Sequence, residues 1–141
     1  MPVTQRLGVR LVGVRQGAVH LKAPFAANTN HAGTAFAGSL NAIATLSGWS
    51  TVWLLLRERE IEAQVVIQDS SVKYLRPVTG DFEAVCTPPS HEAITHLVEA
   101  LTRRGKGRIE LTASVHDGQG EAVHFRGRYV ALRDPKGKTI P

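Results

Sequence analysis

Asn28-Thr-Asn-His-Ala-Gly-Thr-Ala-Phe-Ala-Gly-Ser39 leads directly into a segment, Leu40–Leu56, that carries no formal charge before Arg57. Glycines and small polar residues crowd the first part, as in a loop that exposes backbone N–H groups. The second part reads as a helix, and a helix without a charged face must be surrounded by protein. A buried helix whose N-terminus opens from such a loop offers a place for a negative charge or a developing oxyanion.

Working outward, residues 7–14 and 17–25 alternate in strand fashion around Arg15-Gln16-Gly17 and read as a hairpin. Downstream, residues 64–76 form a long strand ending at Pro77, and 80–87 a shorter one stopped by Pro88-Pro89. Ser90 can cap a modest helix carrying Ala93, Ile94, Leu97, Val98 and Leu101 on one side, closed by Gly105. Residues 107–116 and 121–133 alternate cleanly through Ile109, Leu111, Ala113 and Val115, then Val123, Phe125, Tyr129 and Ala131. Asp117-Gly118-Gln119-Gly120 joins them as a hairpin.

One charge-free helix over about 38–58, about 30 Å long at 1.5 Å per residue, among several amphipathic strands predicts an α+β fold. The expected architecture is an antiparallel sheet wrapped around that central helix. A chain of 141 residues fits a single domain, with residues 1–5 and 135–141 expected to be loose. On a helical wheel, Ala44, Ser47 and Thr51 make a small-residue strip that a backbone or a ligand could approach closely.

Composition narrows the function classes. The single cysteine, Cys86, excludes an internal disulfide and fits a reducing, cytoplasmic setting. No Cys/His spacing suggests zinc: among the six histidines, His91 and His96 are five apart, off the helical i,i+4 register. No cofactor is implied. The N-terminus has no apolar signal core, and Leu40–Leu56 is short and punctuated by Asn41, Thr45, Ser47, Ser50 and Thr51, so no membrane span is expected. A net charge of +5 comes partly from Arg103, Arg104, Lys106 and Arg108, and partly from the tail around Arg133, Lys136 and Lys138. It fits a phosphate-rich small molecule or a solvated basic turn. Aromatics at 6% without an interleaved basic stripe argue against nucleic acid.

The order of elements, with Asn30-His-Ala-Gly-Thr-Ala-Phe-Ala-Gly-Ser-Leu40 and Gln68-Asp-Ser-Ser-Val-Lys-Tyr-Leu-Arg-Pro-Val78, resembles the hotdog-fold thioesterases. More narrowly it resembles the YiiD C-terminal thioesterase family, over about residues 5–133. The resemblance implies a single hotdog domain that hydrolyses acyl-CoA or acyl-carrier-protein thioesters. It also implies a homodimer or dimer of dimers joined edge to edge, with substrate at the subunit interface by the N-terminus of the central helix. Phenylacetyl-CoA-type relatives carry His-Gly-Gly where this chain has Phe36-Ala37-Gly38, and an acidic residue where it has Thr45. Their loop asparagine corresponds best to Asn30. The helix carboxylate of that branch therefore has no counterpart here.

Thioester hydrolysis needs an oxyanion holder and a way to deliver water. The Gly38 N–H is the candidate holder, a donor worth roughly 3 kcal/mol in comparable sites; the plainer reading of Gly33 and Gly38 is turn geometry. Asn30 can orient a water or the carbonyl, or simply make an Asx-turn. His31 is a candidate base near neutral pH. Asp69, the one carboxylate inside an otherwise apolar strand run, would be buried and could activate water, for the partner subunit's site if the strand lies across the interface, or could pair with a neighbouring cation. Thr45 and Ser47 can position water or bond back to the helix. Phe36 and Ser39 flank the helix entry, Tyr74 and Arg76 are candidates for the acyl or pantetheine channel, and Arg103, Arg104 and Lys106 for coenzyme A phosphates. The alternative to an enzyme is a non-catalytic module that binds acyl thioesters in the same pocket. A dehydratase is disfavoured because no His/Asp or His/Glu pair sits at the loop and helix.

Overall fold

Helix α2 spans Ala37–Arg57 and lies against a six-stranded, wholly antiparallel sheet. The computed structural model describes residues 1–133; the expectation for the tail from 135 lies outside them. In chain order the elements are α1 (Pro2–Arg6), β1 (Arg10–Arg15), β2 (Ala18–Ala23), α2, β3 (Gln64–Tyr74), β4 (Phe82–Cys86), α3 (His91–Arg104), β5 (Lys106–Asp117) and β6 (Gly120–Leu132). The sheet runs β1-β2-β4-β5-β6-β3, which leaves β1 and β3 as its edges. This is the predicted α+β hotdog architecture. At the N-terminus residues 2–6 make a helical turn with no buried residue, where a loose end was expected.

The alternation read in the sequence sorts the strands into two faces. Val19, Leu21, Phe82, Ala84, Cys86, Ile109, Leu111, Ala113, Val115, Val123, Phe125 and Tyr129 all point inward and are buried. Each large side chain among them contributes about 1.5–3 kcal/mol by leaving water. Against them α2 sets Leu40, Ile43, Ala44, Ser47, Gly48, Thr51, Val52, Leu55 and Leu56. The strip Ala44, Ser47, Thr51 therefore meets the sheet, the first of the two alternatives its small residues left open. Gly48 shows how close that approach is: a Cβ there would overlap the Tyr129 ring and hydroxyl. The Tyr129 hydroxyl instead donates to the Thr45 carbonyl at 2.7 Å.

Only one side of α2 is sealed. Asn41, Ala42, Thr45, Leu46, Trp49 and Leu54 are half-buried and Trp53 is exposed. Trp49 and Trp53 stack with centroids 6.1 Å apart, and Arg57 lies over the Trp53 ring. The Trp49 indole N–H donates to the Val65 carbonyl, which places this open flank beside the free edge of β3. Helix α3 starts at the predicted Ser90 cap, whose hydroxyl accepts from the Ala93 N–H, and ends at Gly105 with φ 69°. It rests on the start of β5, where Gly107 makes room: a Cβ there would lie 2.7 Å from the Leu97 carbonyl oxygen.

Candidate active site

The loop from Asn28 to Phe36 is built by its asparagines. Asn30 Oδ1 accepts from the N–H groups of Ala32 (2.8 Å) and Thr34 (3.1 Å), and its Nδ2 donates to the Thr34 hydroxyl at 2.8 Å. That is the Asx-turn reading, so the amide holds its own loop. Asn28 is buried and donates from Nδ2 to the carbonyls of Leu7 and Pro24. Its own carbonyl accepts from the Phe36 N–H at 2.7 Å. The two asparagines thus fix where the chain enters α2. His31 sits exposed on the same loop.

Helix α2 begins without a side-chain cap. Phe36 is the N-cap residue, its carbonyl accepts from the N–H groups of Ser39 and Leu40, and the first turn holds no acidic residue. The amides of Ala37 and Gly38, first and second in the helix, have no intrahelical acceptor by helix geometry. Both residues are exposed, as is Phe36. The Phe36 ring lies over Gly38 so closely that a Cβ would overlap it. Glycine at 38 is what lets the exposed ring rest there, a reason that neither sequence reading supplied. Tyr74, at the end of β3, donates from its hydroxyl to the Ala37 carbonyl at 3.2 Å and so joins the free sheet edge to this turn. Ser39 is buried within the turn.

Deeper along α2, Thr45 is half-buried on the open flank and its hydroxyl donates to Asn41 Oδ1 at 3.4 Å. Asn41 was treated in the sequence only as a polar interruption; its i,i+4 spacing to Thr45 was the available signal. Ser47 is fully enclosed, donating to the Ala44 carbonyl. The fold brings together Phe36, Ala37, Gly38 and Tyr74, sets the Asn30–His31 loop immediately before them in the chain, and places Asn41 and Thr45 one and two turns on.

Other expectations are corrected. Asp69 is not buried: it follows a bulge after Ile67, faces away from α2 on the outer side of the sheet, and pairs with Arg128 at 3.2 Å with its side chain 57% exposed. The bulge is what turns it outward, since one extra residue flips the alternation. Arg76 does not face a channel. It grips Asp117 with both nitrogens (3.0 and 2.6 Å) and also donates to the Gly120 carbonyl, tying the end of β3 to the β5–β6 hairpin. The hydrogen bonds from Arg76 pull the Asp117 carboxyl down to about 2. Arg103 and Arg104 end α3 and Lys106 begins β5. The register pairs Lys106 and Gln64 with Leu132 at one end of the sheet and Tyr74 with Val123 at the other. Within one chain the basic cluster is thus about 33 Å along the strands from the helix entry.

The family model for "putative thioesterase (yiiD_Cterm)" matches residues 1–133. This chain belongs to the YiiD C-terminal putative thioesterase family. The family match spans every element described above. Among solved structures, the chain is similar to a protein of unknown function from Chlorobaculum tepidum at 29% identity, covering 95% of this chain and 88% of that one, with a TM-score of 0.90. A putative thioesterase from Shewanella oneidensis matches at 28% identity, 94% and 88% coverage, and a TM-score of 0.80. A probable thioesterase from Pseudomonas aeruginosa matches at 26% identity, 95% and 89% coverage, and a TM-score of 0.78. The YiiD C-terminal fold is therefore carried by both family and structure, and the family points to thioester chemistry.

Proposed function

We propose that this protein is a cytoplasmic hydrolase of acyl-CoA or acyl-carrier-protein thioesters, working as a homodimer joined along β3. One observation carries the reading: the uncapped first turn of α2, with the amides of Ala37 and Gly38 free and exposed. The Gly38 N–H donates to the thioester oxygen and stabilises the charge that gathers there as water adds to the carbonyl carbon. Water supplies the new C–O bond, the C–S bond breaks, and the proton lost by water ends on the departing thiolate. His31, beside the entry, has the chemistry to carry that proton near neutral pH, and the Asn41–Thr45 pair is placed to hold the water. The acyl chain runs down the open flank of α2 toward Leu46 and Trp49. The buried, unpaired Cys86 fits a reducing compartment.

The lack of any carboxylate along α2, where Thr45 stands in place of one, with Asp69 on the outer face, favours a second reading: a module that binds acyl thioesters without turning them over. A panel of acyl-CoAs read by thiol release separates the two. Gly38→Pro removes one donor at a position in the first turn where proline is tolerated, and should lower kcat/KM by about 10²–10³. Gly38→Ala keeps the N–H and displaces the exposed Phe36 ring, so it should retain far more activity. Equal losses in the two variants would sink the oxyanion role, and binding without thiol release in the parent would establish the module.

A further inference from the structure

Ala37 and Gly38 share one planar peptide, with the carbonyl of the first and the N–H of the second at its opposite edges. By helix geometry that carbonyl accepts from the Asn41 N–H, while the Gly38 N–H points out of the open end of α2. A carbonyl oxygen has two lone pairs. The second is met by the Tyr74 hydroxyl, which donates to the Ala37 oxygen at 3.2 Å. Tyr74 therefore binds the back of the peptide whose front is the proposed oxyanion donor. It leaves the place of the substrate oxygen free.

A tyrosine 48% exposed gains little from such a bond on its own, because water competes for both partners. Here the segment that follows it is tied down along its length. Leu75 donates its N–H to the Ala122 carbonyl at 2.8 Å. Arg76 grips Asp117, whose side chain is only 2% exposed, and donates to the Gly120 carbonyl as well. Two residues further on, Val78 is fully buried and its carbonyl accepts from the Ala35 N–H at 2.8 Å. Residues 74–78 thus form a strap over the helix entry. Its two ends bond the chain at Ala37 and Ala35, either side of the Phe36 cap, and its middle is clamped to the β5–β6 hairpin. The hairpin supplies the ordering that an exposed hydroxyl lacks, so the bond is in place before substrate arrives.

We propose that Tyr74 is a positioning residue for thioester hydrolysis: through the Ala37 carbonyl it orients and polarises the Gly38 N–H that meets the developing oxyanion. Donation to a carbonyl draws electron density from its amide nitrogen and strengthens the N–H as a donor, by about 10–30% per bond in a chain. An oxyanion donor is worth about 10²–10³ in kcat, so that share of it corresponds to about two- to eightfold. The hydroxyl touches the backbone and not the substrate, so its effect falls on kcat and not on KM. This is a different role from the channel wall expected of Tyr74 in the sequence. The inference rests on the proposed thioesterase reading and adds to it a residue that acts on the donor from behind.

Tyr74→Phe keeps the ring and removes only the bond. Thiol release from acyl-CoA should show kcat lowered about two- to eightfold, with KM within about twofold of wild type. In a Gly38→Pro background the same substitution should change nothing further, because the N–H on which the hydroxyl acts is gone. A kcat equal to wild type, a loss carried by KM, or losses that multiply in the double variant would each overturn the inference. A second measurement needs neither substrate nor the proline variant. In isotopically labelled protein, the amide nitrogen resonance of Gly38 should shift in Tyr74→Phe while that of Ser39, one peptide further on, stays in place. A Gly38 resonance that does not move overturns the inference whatever the activity. A wild type that hydrolyses no thioester although that resonance does move fails differently: it removes the proposed function, and the catalytic role of Tyr74 with it.

Discussion

Asp117 is gripped by both nitrogens of Arg76, and its carboxyl titrates near 2 in the folded chain against about 4 when unfolded. A depressed folded value stabilises the fold above the unfolded pKa, and that contribution is lost as pH falls through the folded one. The acid arm of the stability curve should therefore steepen between about pH 4 and about pH 2. Asp117→Asn should flatten that arm in urea melts run across the window; an unchanged arm would show the pair is inert. At the same scale, Asn30→Ala removes the acceptor for two loop amides and should cost activity through a loosened entry. A KM and kcat that stay at wild-type values would show that the loop holds without it. Of these roles the sequence showed the Asx-turn of Asn30, because an Asx-turn is made within five residues. It did not show the Arg76–Asp117 clamp, because partners forty-one positions apart meet only through the register of the sheet.

Within α2, local preference and packing oppose one another at Gly48. Alanine there gains about 1 kcal/mol of helix propensity. Its methyl group, however, would overlap Tyr129, and overpacking of that kind costs about 1–3 kcal/mol, with about 1 kcal/mol more if the Tyr129 bond to the Thr45 carbonyl is broken. Packing wins, so Gly48→Ala, with that bond broken, should destabilise the protein by about 1–3 kcal/mol, and a melting temperature at or above wild type would refute that reading. Helix boundaries were legible for the two long helices: the central helix expected at 38–58 is Ala37–Arg57, and α3 runs between its Ser90 cap and Gly105, whereas the strand read at 7–14 is Arg10–Arg15 and the turn at residues 2–6 was not read. Caps, glycines and alternation act over a few residues, so they leave a direct trace in the chain. The face of α2 that meets the sheet left none, since a helix uncharged all round gives no amphipathic signal.

For the molecule as a whole, the unsealed flank of α2 and the free edge of β3 lie side by side, and a second copy would cover both. Ile67→Lys places a charge on that edge, facing the flank. It should convert a dimer to a monomer by light scattering, with an unchanged far-UV spectrum and thioester hydrolysis lost together with dimerisation. A variant that stays dimeric and active would move the interface elsewhere.

The sequence by itself determined the fold class, the order of the strands and long helices, the loop-to-helix entry and the family resemblance. Each of these is written in short-range patterns: alternation, caps, turn residues and one uncharged run. Only the tertiary structure decided that Asp69 faces outward, that Arg76 clamps a hairpin, that the Phe36 ring rests over Gly38, and that the basic cluster lies at the far end of the sheet from its own helix entry. Those facts depend on one bulge, on strand register and on which surfaces come within a few ångströms, and such quantities exist only once distant segments have packed.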